Sequence, residues 1–183
     1  MTRRRRLEPR TWRHVTLDLA RLLVMLVVTV LLQTTVAPHI RVLGASADVA
    51  LVAVVCVGLL RGSEAGAVFG FLAGAGISFA VFGPLGLSSL VLVVVGYVAG
   101  RYAEAADTSS GFAPIIVVLG GTALGEVLYS VVQFLLDHQV PFDFFLTRVL
   151  LPVTVLNTLL AAPGYLLARL WLREGVADGP QPA

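Results

Sequence analysis

The sequence contains no lysine and little charge of either sign. All 13 basic residues are arginines, and charged residues make up 13% of a chain in which 57% of residues are hydrophobic. Soluble domains carry about 25% charged residues, so a soluble fold could not cover this much apolar surface. Stretches nearly free of charge recur from Leu22 onward. This pattern is typical of an integral membrane protein.

Residues that bind metals or catalyse reactions are equally scarce. The one cysteine, Cys56, lies in an apolar run, which excludes a disulfide framework. The histidines His14, His39 and His138 are far apart in the sequence. Signatures such as HExxH, GxSxG and the phosphate-binding loop are missing. We therefore expect no metal site, no cofactor and no enzymatic activity.

Six apolar segments predict an all-α membrane protein, a bundle of six transmembrane helices. They are Leu19–Ala37, Ala47–Leu60, Ala65–Phe82, Leu87–Tyr102, Ala113–Leu136 and Thr147–Leu172. A helix needs about 20 apolar residues to cross the bilayer core, and the second segment is shorter. It would pack inside the bundle or thin the bilayer locally, so five crossings is the alternative count. The predicted organisation is a basic tail at 1–18, a transmembrane domain at 19–172 and a disordered tail at 173–183.

The arginines are concentrated on one side of the predicted bundle. That side holds Arg3, Arg4, Arg5, Arg6, Arg10, Arg13, Arg61, Arg101, Arg169 and Arg173, and the other side holds Arg41 and Arg148. Cytoplasmic loops of membrane proteins are enriched in basic residues, so both termini are expected in the cytoplasm. Two termini on one side require an even number of crossings, which favours six over five.

The arginine-rich start of the chain has an expected ligand and one alternative interpretation. Each basic residue near an anionic membrane contributes roughly 1 kcal/mol of attraction, so we expect this segment to bind anionic lipids and not nucleic acid. Together with the apolar run Leu22–Val36 it also resembles a signal peptide. The residues up to Pro38 lack a small-residue cleavage pattern, and an uncleaved first helix is the preferred interpretation.

Small residues recur every four positions in the second and third segments. The row is Gly58, Gly62, Gly66, Gly70, Gly74 and Ser78, with shorter repeats at Gly96–Gly100 and Gly121–Gly125. Lipid provides no hydrophobic drive for helices to associate, so such faces act by letting two backbones approach closely. The row predicts tight packing of the third helix, preferably against a helix of the same chain. The breaker Phe82–Gly86 predicts a close antiparallel pair of helices three and four.

The fifth segment carries polar residues on one helical face. They are Thr122, Glu126, Tyr129, Gln133 and Asp137, at steps of three and four. Glu126 and Asn157 are both expected near the bilayer midplane, where a protonated Glu126 would hydrogen-bond with Asn157 or Thr154. A carboxyl group is costly in the membrane and marks a functional site by default. A substrate or proton site and a purely structural contact both remain open.

A further pattern runs from the second to the fourth segment. An acid precedes the second segment, a GF..G motif lies in the third, a Leu-Gly pair follows it, and a Gly-Tyr pair lies in the fourth. The matching positions are Asp48, Gly66, Gly70, Phe71, Gly74, Leu85, Gly86 and Tyr97. With Asn157 as a polar position in the last helix, the chain resembles the bacterial rod shape-determining MreD family. Ala47 and Ser78 depart from that pattern, which usually has proline and often aspartate there.

The resemblance implies a non-enzymatic, multi-pass protein of the bacterial plasma membrane. Such proteins belong to the cell-elongation complex with MreC, MreB, RodA and a transpeptidase, and they help to direct lateral peptidoglycan synthesis. Partner contacts are expected on the second to fourth helices, with Asp48 and Ser78 as the positions to crosslink, and on the outer loops. The family also resembles the six-helix substrate-binding subunits of energy-coupling-factor vitamin transporters.

The alternative function is therefore a vitamin-binding subunit of such an importer. Its midplane pocket would be formed by Glu126, Gln133 and Asn157. A proton-linked transporter is the third and weakest interpretation, because a proton relay needs more ionisable groups than Glu126.

Overall fold

The protein is almost entirely helical. The computed structural model describes residues 10–39, 41–42, 45–83, 86–105, 113–136 and 151–173, with side chains for 16–39, 46–83, 86–105, 115–132 and 152–172. These residues form six helices: α1 (Arg10–Leu31), α2 (Val49–Arg61), α3 (Ser63–Ala80), α4 (Leu87–Ala105), α5 (Ala113–Leu136) and α6 (Leu151–Arg173). The rest of the predicted tails, at 1–9 and 174–183, lies outside the described residues.

Five of the helices are long and apolar enough to cross a membrane. The qualifying stretches are Thr16–His39, Ser63–Ala80, Leu87–Ala105, Ile115–Val132 and Pro152–Leu172. The predicted number of six helices is confirmed within the described residues. The second helix is too short to be one of the spans, so the helix lengths favour the alternative count of five full crossings.

Helix α2 is the shortest helix and forms the centre of the molecule. Its 13 residues make a helix of about 20 Å, against about 30 Å for a bilayer core. Val54, Val55 and Val57 are 0% exposed, and α2 contacts α3, α4, α5 and α6. A helix that is apolar all round needs burial on every side. The surrounding helices provide it, and the core of the protein is built on α2.

Helix α1 lies at the edge of the bundle and begins earlier than predicted. It starts at Arg10 rather than Leu19, because arginine is a good helix former and the first turns need not lie in hydrocarbon. It continues as a π-helical turn at Leu32–Val36 and a 3-10 turn at Ala37–His39. Only 6% of its apolar window is buried inside the protein, so most of α1 faces the surroundings of the bundle.

Helices α3 and α4 form the closest pair, as the glycine row predicts. Gly66, Gly70 and Gly74 are buried on α3. A Cβ atom at Gly66 would collide with the carbonyl oxygen of Gly96, and one at Gly70 with that of Leu92. The backbones therefore approach each other directly, and the partner of the row is a helix of the same chain.

The remaining small residues extend this packing to the other helices. Gly62 lies in the link between α2 and α3, not in a helix, and its φ of 89° is a conformation that favours glycine. A Cβ atom at Gly100 would collide with the backbone of Ser63. Gly121 and Gly125 of α5 face side chains of α2 and α4. Ser78 is 3% exposed and continues the buried face of α3.

Two short strands close the link between α1 and α2. β1 (Arg41–Val42) pairs antiparallel with β2 (Ala45–Ser46), with Arg41 opposite Ser46. A loop is expected here from the sequence, because strands of two residues are too short to show alternation. The hairpin brings the chain back from the end of α1 to the start of α2.

Candidate functional site

Several polar residues meet where α2 begins inside the bundle. The first N–H groups of a helix have no partner within the helix, and an apolar interior offers none. Asp48 is the N-cap of α2, and its Oδ1 accepts a hydrogen bond from the backbone N–H of Leu51 at 2.9 Å. A carboxyl group here also compensates the positive end of the helix dipole. The side chain of Asp48 therefore serves the start of α2, and the partner contact expected at this residue stays a prediction.

Asn157 of α6 connects the start of α2 to α5. Its Oδ1 accepts from the backbone N–H of Asp48 at 2.8 Å, and its Nδ2 donates to Oγ1 of Thr122 at 3.2 Å. Asn157 and Thr122 are both 0% exposed. Buried polar groups are normally hydrogen-bonded. Asn157 meets this need for Thr122 and for the backbone N–H of Asp48 at the start of α2. Asn157 therefore has a structural role in joining three helices.

Gln33 supplies the third hydrogen bond to this terminus. Its Oε1 accepts from the backbone N–H of Ala50 at 3.1 Å. Gln33 lies in the π-helical turn that follows α1, where Thr34 donates its hydroxyl to the carbonyl of Val30 at 2.8 Å. Gln33 is not among the site residues predicted from the sequence, although a polar side chain in an apolar run was the available signal. We refer to Gln33, Asp48, Thr122 and Asn157 as the capping cluster.

A cleft of about 290 Å³ opens beside the capping cluster. The polar residues in its wall are Gln33, Asp48, Ser88, Glu126 and Tyr129. Most of the remaining wall is apolar and comes from α2, α3 and α4. Small-molecule sites typically occupy about 300–1,000 Å³ and combine apolar walls with a few polar groups. This polar cleft therefore has the composition of a small-molecule site at the lower end of that size range.

Glu126 differs from the capping residues because its carboxyl group caps no helix among the residues that the structure describes. The hydroxyl of Ser130 donates to its backbone carbonyl at 2.8 Å. Within the described part of the chain, no hydrogen-bond donor contacts its carboxyl group. Glu126 lies in the wall of the polar cleft. It is therefore the residue of this region that structural capping does not explain.

The predicted hydrogen bond between Glu126 and Asn157 is wrong. Both polar atoms of the Asn157 side chain are occupied, Oδ1 by the backbone N–H of Asp48 and Nδ2 by Oγ1 of Thr122. The prediction used only the positions of Glu126 and Asn157 along their own helices. It did not include the start of α2, whose backbone N–H bonds to Asn157. Of the predicted pocket residues, Glu126 lines the cleft, whereas Asn157 is fully buried and does not line it. The side chain of Gln133 lies outside the described side chains.

Charged residues join several helices at the opposite end of α2. Arg61 forms an ion pair with Asp18 of α1 at 3.2 Å and donates to the backbone carbonyl of Leu172 at 3.3 Å. Glu104 accepts from the backbone N–H and the hydroxyl of Ser63 at 2.8 and 2.7 Å. These bonds place the start of α1 and the ends of α2, α4 and α6 at one end of the bundle. We call this the charged end.

The residues that could bind a metal do not come together. Among the described residues there is no group of three or more His, Cys, Asp or Glu side chains suited to hold a metal ion. Cys56 is buried in the apolar core.

The length and hydropathy of the helices define the class of protein. Five helices with the length and hydropathy of membrane spans identify a multi-pass helical membrane protein. No protein-family model, no curated protein and no solved structure matches the chain.

Proposed function

We propose that this protein is a non-enzymatic component of the bacterial cell-elongation complex. It would lie in the plasma membrane with both termini in the cytoplasm and act through contacts with MreC and other elongation proteins. The proposal starts from the resemblance to the MreD family. It draws its main structural support from the hydrogen bond of 2.8 Å between the backbone of Asp48 and the side chain of Asn157.

That hydrogen bond matters because the resemblance selects both residues independently. They are 109 positions apart and match polar positions in different parts of the family pattern. In this protein the two positions meet at the start of α2. Their contact gives both positions one shared purpose, which is to start a short helix within the membrane.

Of the second to fourth helices, α3 and α4 present outward faces to a partner. Helix α2 is buried and presents no face to a partner, which narrows the expected contact region. Large apolar side chains are exposed on both remaining helices, with Phe79 at 76%, Leu90 at 55% and Tyr97 at 48%. A membrane partner would pack against such faces through dispersion contacts. We therefore assign the contact with MreC to the outward faces of α3 and α4.

Photo-crosslinking in native membranes tests this assignment. A photoreactive amino acid at Phe79 or Leu90 should capture MreC or another elongation protein. The matched control is Leu167 on α6, which is 68% exposed but lies on a different helix. The proposed function would be contradicted if none of the three positions captured an elongation protein. Capture from Leu167 alone would retain the function and move the contact to α6.

The polar cleft favours a second candidate function. A substrate-binding subunit of a vitamin importer needs a small-molecule site, and the cleft of about 290 Å³ with Glu126 in its wall has the lining expected of one. Protein purified from native membranes would then carry a vitamin in a one-to-one ratio, which mass spectrometry would detect. Protein that carries none, while crosslinking to elongation proteins, would exclude this candidate.

A further inference from the structure

The polar cleft combines features that select one chemical class of ligand. Its described lining includes two carboxyl groups, Asp48 and Glu126, and no arginine. Arg61 and Arg101 lie at the charged end, where their partners are Asp18 and Glu104. The cleft therefore has acidic groups without a basic partner in its described wall. Electrostatic attraction is strong where apolar walls exclude water, so a positively charged group is the complementary ligand.

The two carboxyl groups are not equivalent. Asp48 caps α2 through its Oδ1, so its position is fixed by the helix that it starts. Glu126 lines the cleft and has no hydrogen-bond donor at its carboxyl among the described residues. A carboxyl group inside a membrane protein is costly unless something compensates it. A bound cation would compensate Glu126 directly.

The remaining walls determine what kind of cation fits. Leu51, Ile77 and Leu92 provide apolar surface from α2, α3 and α4. Tyr129 stands in the same wall, and an aromatic ring attracts an organic cation through its face. The two acids of this wall do not form a metal site, since the described residues include no group of three or more His, Cys, Asp or Glu side chains that could hold a metal ion. An organic molecule with an apolar body and one protonated nitrogen matches both kinds of surface.

The cleft also lies where such a molecule can enter. Val81 and Ser88 in its wall flank the turn between α3 and α4, at the end of the bundle opposite the charged end. Helix α2 is about 20 Å long, about 10 Å less than the thickness of a bilayer core. The cleft lies beside the N-terminus of this short helix, and we expect a ligand to enter from that end of the bundle.

We propose that the polar cleft binds a small organic cation, with Glu126 as its counter-ion and Tyr129 against its charged nitrogen. This proposal goes beyond the role in cell elongation and does not depend on it. The protein would bind such a cation whether it acts as a scaffold or as an importer subunit.

Binding to the purified protein in nanodiscs tests the proposal. The probes are benzylammonium, phenethylammonium and benzyltrimethylammonium, with benzyl alcohol as a neutral molecule of similar shape. Calorimetry should detect binding of at least one of the three cations and no binding of benzyl alcohol. Glu126→Gln should weaken the binding of that cation roughly tenfold or more, since it removes the charge and keeps the size. Tyr129→Leu should weaken it several-fold and provides a second variant if Glu126→Gln misfolds.

Glu64→Gln is the matched control. Glu64 is an exposed acid in the first turn of α3, at the charged end, and its loss should leave the affinity unchanged. The proposal is overturned if none of the three cations binds, or if benzyl alcohol binds as well as they do. Equal affinities of the wild-type protein and a folded Glu126→Gln variant would also overturn it.

Discussion

The missing Cβ atoms of α3 set the distance between α3 and α4. At Gly66 the space that a methyl group would need is taken by the carbonyl oxygen of Gly96 and by the Cα of Gly58, which would lie 2.8 Å away. Neither neighbour is a flexible side chain that could turn aside. Gly120 of α5 has no such contact, because nothing lies within 4 Å of the position of its Cβ. The effect of a glycine in these helices therefore depends on what faces the position of its Cβ, and not on how many glycines the helix contains.

We predict that Gly66→Ala destabilises the protein by about 1–3 kcal/mol, the usual cost of overpacking a close contact. Its methyl group would force α3 and α4 apart. The control Gly120→Ala should be neutral or should stabilise by up to about 1 kcal/mol, because alanine is the better helix former. Thermal unfolding in detergent compares the two variants. Equal melting temperatures for Gly66→Ala and the wild type would show that the contact is not tight.

Asn157 offers a second test at a single position. Asn157→Leu keeps the approximate volume and leaves the backbone N–H of Asp48 and the hydroxyl of Thr122 without their partner. An unsatisfied buried polar group costs about 1–3 kcal/mol, so a clear loss of stability is expected. Thr158→Val is the control, because the hydroxyl of Thr158 bonds to its own helix. A loss no larger for Asn157→Leu than for this control would argue against a capping role.

Among the elements, α2 organises the others although it does not span the membrane. Its N-terminus is held by Gln33 from the turn that continues α1 and by Asn157 of α6. Its last residue, Arg61, contacts α1 and α6. Both ends of one short helix are thus fixed by the same neighbours. This explains how α1, which is mostly exposed, is attached to the bundle.

The ion pair between Arg61 and Asp18 should contribute to this attachment. Their side chains are 21% and 29% exposed, so solvent screens the pair in part. We predict a coupling energy of about 0.2–1 kcal/mol, the range of measured ion pairs near a surface. A double-mutant cycle with Arg61→Gln and Asp18→Asn measures it by chemical unfolding. Strictly additive effects of the two substitutions would show that the pair adds no stability of its own.

The elements show which features the sequence could reveal. The glycine row and the breaker after Phe82 predict the α3–α4 pair correctly, because both act within a few residues of sequence. The roles of Gln33 and Asn157 could not be predicted, since each depends on where a different helix begins. The start of α1 at Arg10 differs from the predicted Leu19 for another reason. Hydropathy indicates only the residues that lie in the membrane core, whereas a helix can extend beyond the core.

On the scale of the whole molecule, the two ends of the bundle differ in chemistry. The charged end holds Arg61, Arg101, Asp18 and Glu104, whereas the other end holds the polar cleft and the hairpin between α1 and α2. The start of α1 and the end of α6 meet at the charged end, where the indole of Trp171 donates to the carbonyl of Arg21 at 3.2 Å. Arginine-rich ends of membrane proteins face the cytoplasm. The proposed orientation therefore places the polar cleft outside.

Cysteine labelling of intact cells tests this orientation. The native Cys56 is 1% exposed, so a membrane-impermeant maleimide should leave it unmodified and each introduced cysteine reports alone. His39→Cys, after α1, and Glu64→Cys, in the first turn of α3, replace exposed residues at opposite ends of the bundle. His39→Cys should react in intact cells, and Glu64→Cys only after permeabilisation. The reverse pattern would place the charged end outside, against the positive-inside rule, and would direct the polar cleft to the cytoplasm.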